Sequence, residues 1–124
     1  MNQQAIETAG KLFRAIENGD VDAIRNIYTP ETKIWHNNDG IAQSVEQNLA
    51  VLKWVIGNIK HVKYTDVRLQ PTPTGFVQQH VLRGRFKDKD IALPACIVAT
   101  VEDGHITRLD EYLDSAQTAV FTSR

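Results

Sequence analysis

Cysteine is almost missing from this chain. Cys96 is the single one, so no intrachain disulfide can form and a reducing, cytoplasmic setting is expected. An excess of one charge sign is missing too: Lys and Arg number 14 against 15 Asp and Glu, a formal net charge of -1. Phosphate binding needs a clustered basic surface. The basic clusters here are Arg83-Gly84-Arg85 and the self-cancelling Lys87-Asp88-Lys89-Asp90, so nucleic acid is excluded as a main partner. No apolar run approaches the length of a membrane span. The opening MNQQAIETAG lacks the basic start and apolar stretch of a secretion signal. His36, His61, His80 and His105 stand singly, without the paired spacing of a zinc site. Neither a phosphate-cradling glycine loop nor a dinucleotide fingerprint occurs. The expectation is a protein that needs no metal and no cofactor.

What is present suits one domain over residues 1–124. At 42% hydrophobic and 23% charged residues, the chain can bury one core and solvate its surface. Ala5, Ala9, Leu12, Phe13 and Ile16 recur at helical spacing, and Asn18-Gly19 stops that helix. Asp20 caps a short second helix through Val21, Ile24, Ile27 and Tyr28, ended near Pro30. Residues 32–37 read as a strand. Ser44 and Gln47 form a capping box for a third helix with Val45, Leu49, Leu52 and Ile56 on its apolar stripe.

The period then changes to two. Strands are predicted over 62–70, 76–86, 91–101 and 106–113, with the last hairpin turning at Asp103-Gly104. Three helices followed by an antiparallel meander make an α+β domain. The strand over 91–101 is apolar on both faces: Ile91, Leu93, Ala95 and Ile97 on one, Ala92, Pro94, Cys96 and Val98 on the other. A one-sided antiparallel sheet should carry a polar outer face. A second copy of the chain is the simplest cover, so a homodimer through the outer sheet face is expected. Cys96, between apolar neighbours and without a base nearby in sequence, reads as an inert thiol.

Chemistry concentrates in IWHNND, residues 34–39, where a strand ends in a polar cluster. Asn37, Asn38 and Asp39 suit the turn at Gly40, with a rim carboxylate as the lesser reading of Asp39. His36 shares a face with Ile34, and Trp35 takes the other as a core or dimer contact. Along 76–86, Gln78, His80, Leu82 and Gly84 share one face, while Arg83 and Arg85 stand on the other. The first is a fair cavity lining. The last strand is ambiguous by alternation: Thr107, Leu109, Glu111 and Leu113 face one way, Ile106, Arg108, Asp110 and Tyr112 the other.

Two stretches, AIENGDVDAIRNIYTPETKIWHN and DGHITRLDEYLD, resemble the opening and closing of the nuclear-transport-factor-2-like superfamily, in its bacterial SnoaL-like branch. The likeness covers nearly the whole chain and rests on structural motifs. It implies a cone-shaped, curved antiparallel sheet with three N-terminal helices closing an apolar pocket. The superfamily includes ketosteroid isomerases, polyketide cyclases and limonene epoxide hydrolases, as well as members without activity, so it does not name a reaction. Counted from Gly19-Asp20, the isomerases' general-base aspartate falls on His36, as does a water-holding asparagine of the epoxide hydrolases. Counted back from DEYLD, the hydrolases' water-activating aspartate falls on Glu111, and their Arg-x-Asp pair on Gln78 and His80. The isomerases' oxyanion-binding tyrosine and protonated aspartate fall on Leu12 and Leu93, which cannot donate hydrogen bonds. The hydrolases' arginine is lost at Gln78. The cyclases are closest in residue type.

The resemblance thus implies a site with Glu111, His80 and His36 as catalytic residues, and Gln78, Ile34, Leu82, Leu93 and Leu12 as substrate-binding residues. An inward Glu111 between leucines would lose hydration, which raises a carboxyl pKa and suits a general base. His80 is expected as its hydrogen-bond partner and proton shuttle, His36 as the second proton carrier, and Gln78 as a holder of a substrate carbonyl or hydroxyl. The competing readings are a neutral buried His80 bonded to a backbone carbonyl, an outward Glu111 paired with Arg108 or a lysine, and His36 bonding a loop. The implied function is a small cofactor-independent acid–base enzyme (isomerase, cyclase or hydratase/hydrolase type) acting on a hydrophobic molecule. The alternative is a non-catalytic ligand-binding or dimerisation module. Residues 115–124 carry Ala116, Ala119, Val120 and Phe121 at helical spacing, which predicts a short closing helix.

Overall fold

Local sequence signals build the helical layer. In the computed structural model, which describes residues 2–114 and Ala116, the Asn2 side chain accepts from the Ala5 N–H to open α1 (Gln3–Asn18). Gly19 closes α1 in the left-handed conformation at φ 69°, its N–H returning to the Ala15 and Ile16 carbonyls. Asp20 caps α2 (Val21–Ile27) through Ala23 N–H at 3.1 Å. Ser44 and Gln47 form the expected capping box on α3 (Val45–Asn58). The predicted helix over 115–124 lies outside the described residues, apart from Ala116.

The second helix ends earlier than its apolar spacing predicts. Tyr28 is already extended, because Pro30 disfavours helix at Thr29 and cannot donate to a ladder. β1 therefore runs Tyr28–His36, with a register shift between Tyr28 and Lys33 that accommodates the proline. Thr32 secures this irregular stretch, its hydroxyl accepting from Thr29 N–H and donating to the Ile106 carbonyl at 2.7 Å. A two-residue strand that the sequence did not reveal, β2 (Ala42–Gln43), pairs with Ile34 and Trp35.

Strands β3 (Ile59–Pro71), β4 (Gly75–Phe86), β5 (Lys89–Glu102) and β6 (His105–Leu113) form the expected meander. Six strands lie in one sheet in the order β2-β1-β6-β5-β4-β3. The sheet is mixed rather than wholly antiparallel, since β1 runs parallel to β6. Its connection passes through α3 and four further strands, β2 to β5, so no hairpin geometry constrains the pair. The helices lie against one face, giving the α+β architecture expected.

That face holds the core. Leu12, Phe13 and Ile16 of α1 pack with Ile24 and Ile27 of α2 onto Ile34, Phe76, Ile97, Ala99, Val101, Ile106 and Leu109. Fully burying a side chain such as Leu12 or Phe76 contributes about 1.5–3 kcal/mol. A second, smaller cluster joins Ile59, Phe86, Ile91 and Leu93, with Leu82 beside it. On the opposite face Ala92, Pro94 and Val98 of β5 are exposed, and Tyr112 packs edge-on against Trp35 at 5.3 Å.

Candidate active site

Register decides which side chains meet. His36 of β1 lies directly beside Glu111 of β6, Glu111 beside Ile97 of β5, and Ile97 beside Gln78 of β4. All four point to the helix-covered face. Neighbouring strands are about 4.8 Å apart, so His36 reaches Glu111 without strain: Nε2 lies 3.0 Å from Oε1, both side chains mostly buried at 17% and 22% exposure. Asn37 continues the ladder beyond them. Its N–H donates to the Glu111 carbonyl, its side-chain Nδ2 donates to the Leu113 carbonyl, and its Oδ1 accepts from Leu113 N–H. Asp39 Oδ1 accepts from Ile41 N–H, and Gly40, at φ 66°, donates to the His36 carbonyl. Asp39 and Gly40 thus turn the chain, and Asn37 ties β1 to β6.

The expected Glu111–His80 contact is not formed. His80 sits two strands from Glu111 and in a different row: it pairs with Ala95, which faces Leu113, whereas Glu111 pairs with Ile97. It bonds instead to Gln78, Nδ1 to amide Nε2 at 2.9 Å, both residues buried. An amide nitrogen only donates, so Nδ1 accepts and the ring proton sits on Nε2. That Nε2 is buried without a hydrogen-bond partner. His80 also packs edge-on against Tyr64 at 4.6 Å and Phe13 at 5.4 Å.

A cavity of about 50 Å³ lies over the His36–Glu111 pair, lined also by Leu12, Phe13, Ile34, Tyr28, Tyr64 and Asn48. Ile34 and Leu12 thus line this cavity, whereas Leu82 and Leu93 lie in or against the second cluster around Ile59 and Phe86. Sequence reading missed Tyr28, Tyr64 and Asn48. Tyr28 was hidden by its place in an apparent helical stripe. Tyr64 was legible in principle, since it opposes Leu82 across β3 and β4, and Asn48 as a lone polar residue beside the apolar stripe of α3.

Electrostatics separate the two histidines. The hydrogen bond to Glu111 raises His36 above the usual histidine range against the opposing effect of burial, with Asp39 adding to the rise. Burial pushes His80 down, the Glu111 charge opposing it. Burial, and then the Glu111 charge, raise the phenols of Tyr28 and Tyr64 well above their ordinary value. A larger hollow of about 410 Å³ is lined by His80 together with Asp66, Arg68, Gln79, Pro94, Cys96, Tyr112 and Asp114. His80 bonds Gln78 there and neither carboxylate, so the smaller cavity, which holds the His36–Glu111 contact, is the candidate site. Among the described residues no cluster of three or more His, Cys, Asp or Glu side chains is placed to hold a metal ion. No described helix is long and apolar enough to cross a membrane.

The SnoaL-like domain pattern matches residues 9–109. The chain belongs to the SnoaL-like domain family. Its fold is similar to that of a candidate polyketide cyclase from Xanthomonas campestris pv. campestris, at TM-score 0.83 and 19% identity over 98% of each chain. A similar likeness holds for IdmH, a candidate polyketide cyclase from Streptomyces antibioticus (TM-score 0.82, 18% identity, 96% of this chain and 97% of that one). The epoxide hydrolase of limonene-hydrolase type from M. tuberculosis matches at TM-score 0.78 and 17% identity, over 94% of this chain and 87% of its own. At such identities the likeness speaks for the fold alone. No curated protein matches the chain by sequence.

Proposed function

We propose that this SnoaL-like protein is a cofactor-independent acid–base enzyme that moves a proton on a small hydrophobic molecule held in the cone. The reaction is an isomerisation, an aldol-type cyclisation, or an addition or elimination of water. The observation that carries this reading is the His36–Glu111 contact at 3.0 Å, set in a cavity whose remaining wall is mostly apolar, with Leu12, Ile16, Ile34, Leu52, Ile97 and Leu109, and includes Tyr28, Tyr64 and Asn48. Several titratable groups converging in one apolar cavity favour a catalyst over a passive binder.

The pair divides the work. Glu111, which lines the cavity and holds His36 through Oε1, is the base. The hydrogen bond to Glu111 stabilises the imidazolium and raises the His36 pKa, so His36 orients Glu111 and, when protonated, supplies the returning proton. Among the described residues the lining contains no Lys or Arg, which sets this site apart from arginine-assisted epoxide opening and favours the cyclase and isomerase branches. His80 and Gln78 stand behind the site as a buried pair.

Glu111→Gln should lower turnover by about 10²–10⁴-fold, the usual weight of a positioned general base, while ligand affinity changes little. Steady-state kinetics on a panel of enones, 1,3-diketones and epoxides, with binding followed separately, would check this. Undiminished turnover in that variant removes Glu111 from the mechanism.

A further inference from the structure

Two hydroxyl groups in the cavity contribute nothing to the fold's hydrogen bonding. Tyr28 is 7% exposed, and no hydrogen bond joins its phenol to any described residue. Tyr64 is tied by its backbone N–H to the Glu17 carboxylate at 2.8 Å, and its phenol likewise has no partner among the described residues. Neither phenol oxygen is sealed into the core, since the one buried, unpartnered side-chain polar atom among the described residues is His80 Nε2. Each hydroxyl is left open to accept a partner, a capacity phenylalanine in the same place would lack. Both residues line the same cavity as His36 and Glu111. We propose that Tyr28 and Tyr64 form a two-donor subsite for an oxygen of the substrate, across the cavity from Glu111, and that His80 sets the orientation of Tyr64.

The chemical class follows from what surrounds the hydroxyls. The phenols hold their protons, since burial and the nearby carboxylate both oppose ionisation. They are therefore donors seeking an acceptor. An anionic acceptor would meet the Glu111 carboxylate with no Lys or Arg among the described lining residues to offset it. The oxygen is accordingly that of a neutral group, a ketone, aldehyde or ester carbonyl. The remainder of the molecule is apolar, to match Leu12, Ile16, Ile34 and Leu52, and small, because about 50 Å³ is far below the 300–1,000 Å³ of drug-sized pockets.

His80 enters through geometry rather than proton transfer. Gln78 fixes its ring by the 2.9 Å hydrogen bond to Nδ1. The ring then closes a triangle of edge contacts: Phe13–Tyr64 at 4.9 Å, Phe13–His80 at 5.4 Å and Tyr64–His80 at 4.6 Å. Tyr64 is held on two sides, so its hydroxyl direction is set before a ligand arrives, which lowers the ordering cost of binding. His80 is a positioning residue.

The subsite rests on the acid–base reading of His36 and Glu111, and one probe separates the two. Cyclopentanone, labelled with ¹³C at its carbonyl, reports hydrogen bonding through its carbonyl stretching frequency. Exchange of its α-hydrogens in D₂O reports the acid–base pair. The bound carbonyl band should shift to lower frequency in the native protein. Tyr28→Phe and Tyr64→Phe should each reverse part of that shift and weaken binding about fivefold, the weight of one neutral hydrogen bond. Glu111→Gln should keep the shift and lose the exchange. His80→Phe should leave the band in place, whereas Gln78→Leu, which frees the histidine ring without removing it, should broaden the band. No shifted band in the native protein, or a band indifferent to both Tyr→Phe changes, overturns the subsite. A shifted band without α-exchange in the native protein overturns the acid–base reading and leaves the subsite standing. An unbroadened band in Gln78→Leu overturns the role given to His80.

Discussion

At the scale of single residues, His36 shows how one neighbour redirects chemistry. Its folded pKa is raised through Glu111, so the pair contributes stability that is full below the ordinary histidine value near 6.5 and lost as pH rises through the raised one. NMR titration of the imidazole should place the His36 midpoint above 6.5 and that of His80 below it, and Glu111→Gln should bring His36 back down. A His36 midpoint at or under the ordinary value would remove the ion pair. Sequence could name His36 and Glu111 because each is a polar group on an otherwise apolar strand face. It could not say that they touch. Their contact depends on a parallel pairing between two strands at opposite ends of the chain, and alternation within a strand carries no information about its neighbours. His80 was misassigned to Glu111 for the same reason.

At the scale of elements, the helices and the meander were legible because each is specified by its own residues. Gly19, Asp20 and the Ser44–Gln47 box act within a few positions of themselves. The hairpin turns act likewise. What escaped was tertiary: the early start of β1, the short β2 and the direction of β1 against β6. Asn37 is the small piece that makes the parallel pair hold. A carboxamide donates and accepts like a peptide group, and here it adds one rung between β1 and β6. Asn37→Asp keeps the size, removes the donor and sets a carboxylate against the Leu113 carbonyl. It should lower stability by about 1–2 kcal/mol in chemical denaturation and broaden the His36 ring signals. Wild-type stability and sharp signals would show that the rung is dispensable.

At the scale of the whole molecule, the outer sheet face leaves apolar side chains uncovered. Val98 is 41% and Tyr112 48% exposed, flanked by exposed Ala92 and Pro94 and by Trp35. We propose that a second copy of the chain covers this face, as the two-sided apolar character of β5 implies. Sedimentation should give a dimer for the native chain and a monomer for Val98→Lys, with the α-helical signal retained; a native monomer would refute it. The cone has one further consequence. β1 and β6 lie 76 residues apart at the Asn37–Leu113 rung, whereas the meander from β3 to β6 is built of near-neighbour hairpins. Closing so long a loop is entropically slow and comes after local pairing. The two groups that would do the chemistry come together only when the first third of the chain docks on the finished meander, so an incompletely folded copy carries no assembled acid–base pair with which to act on a substrate.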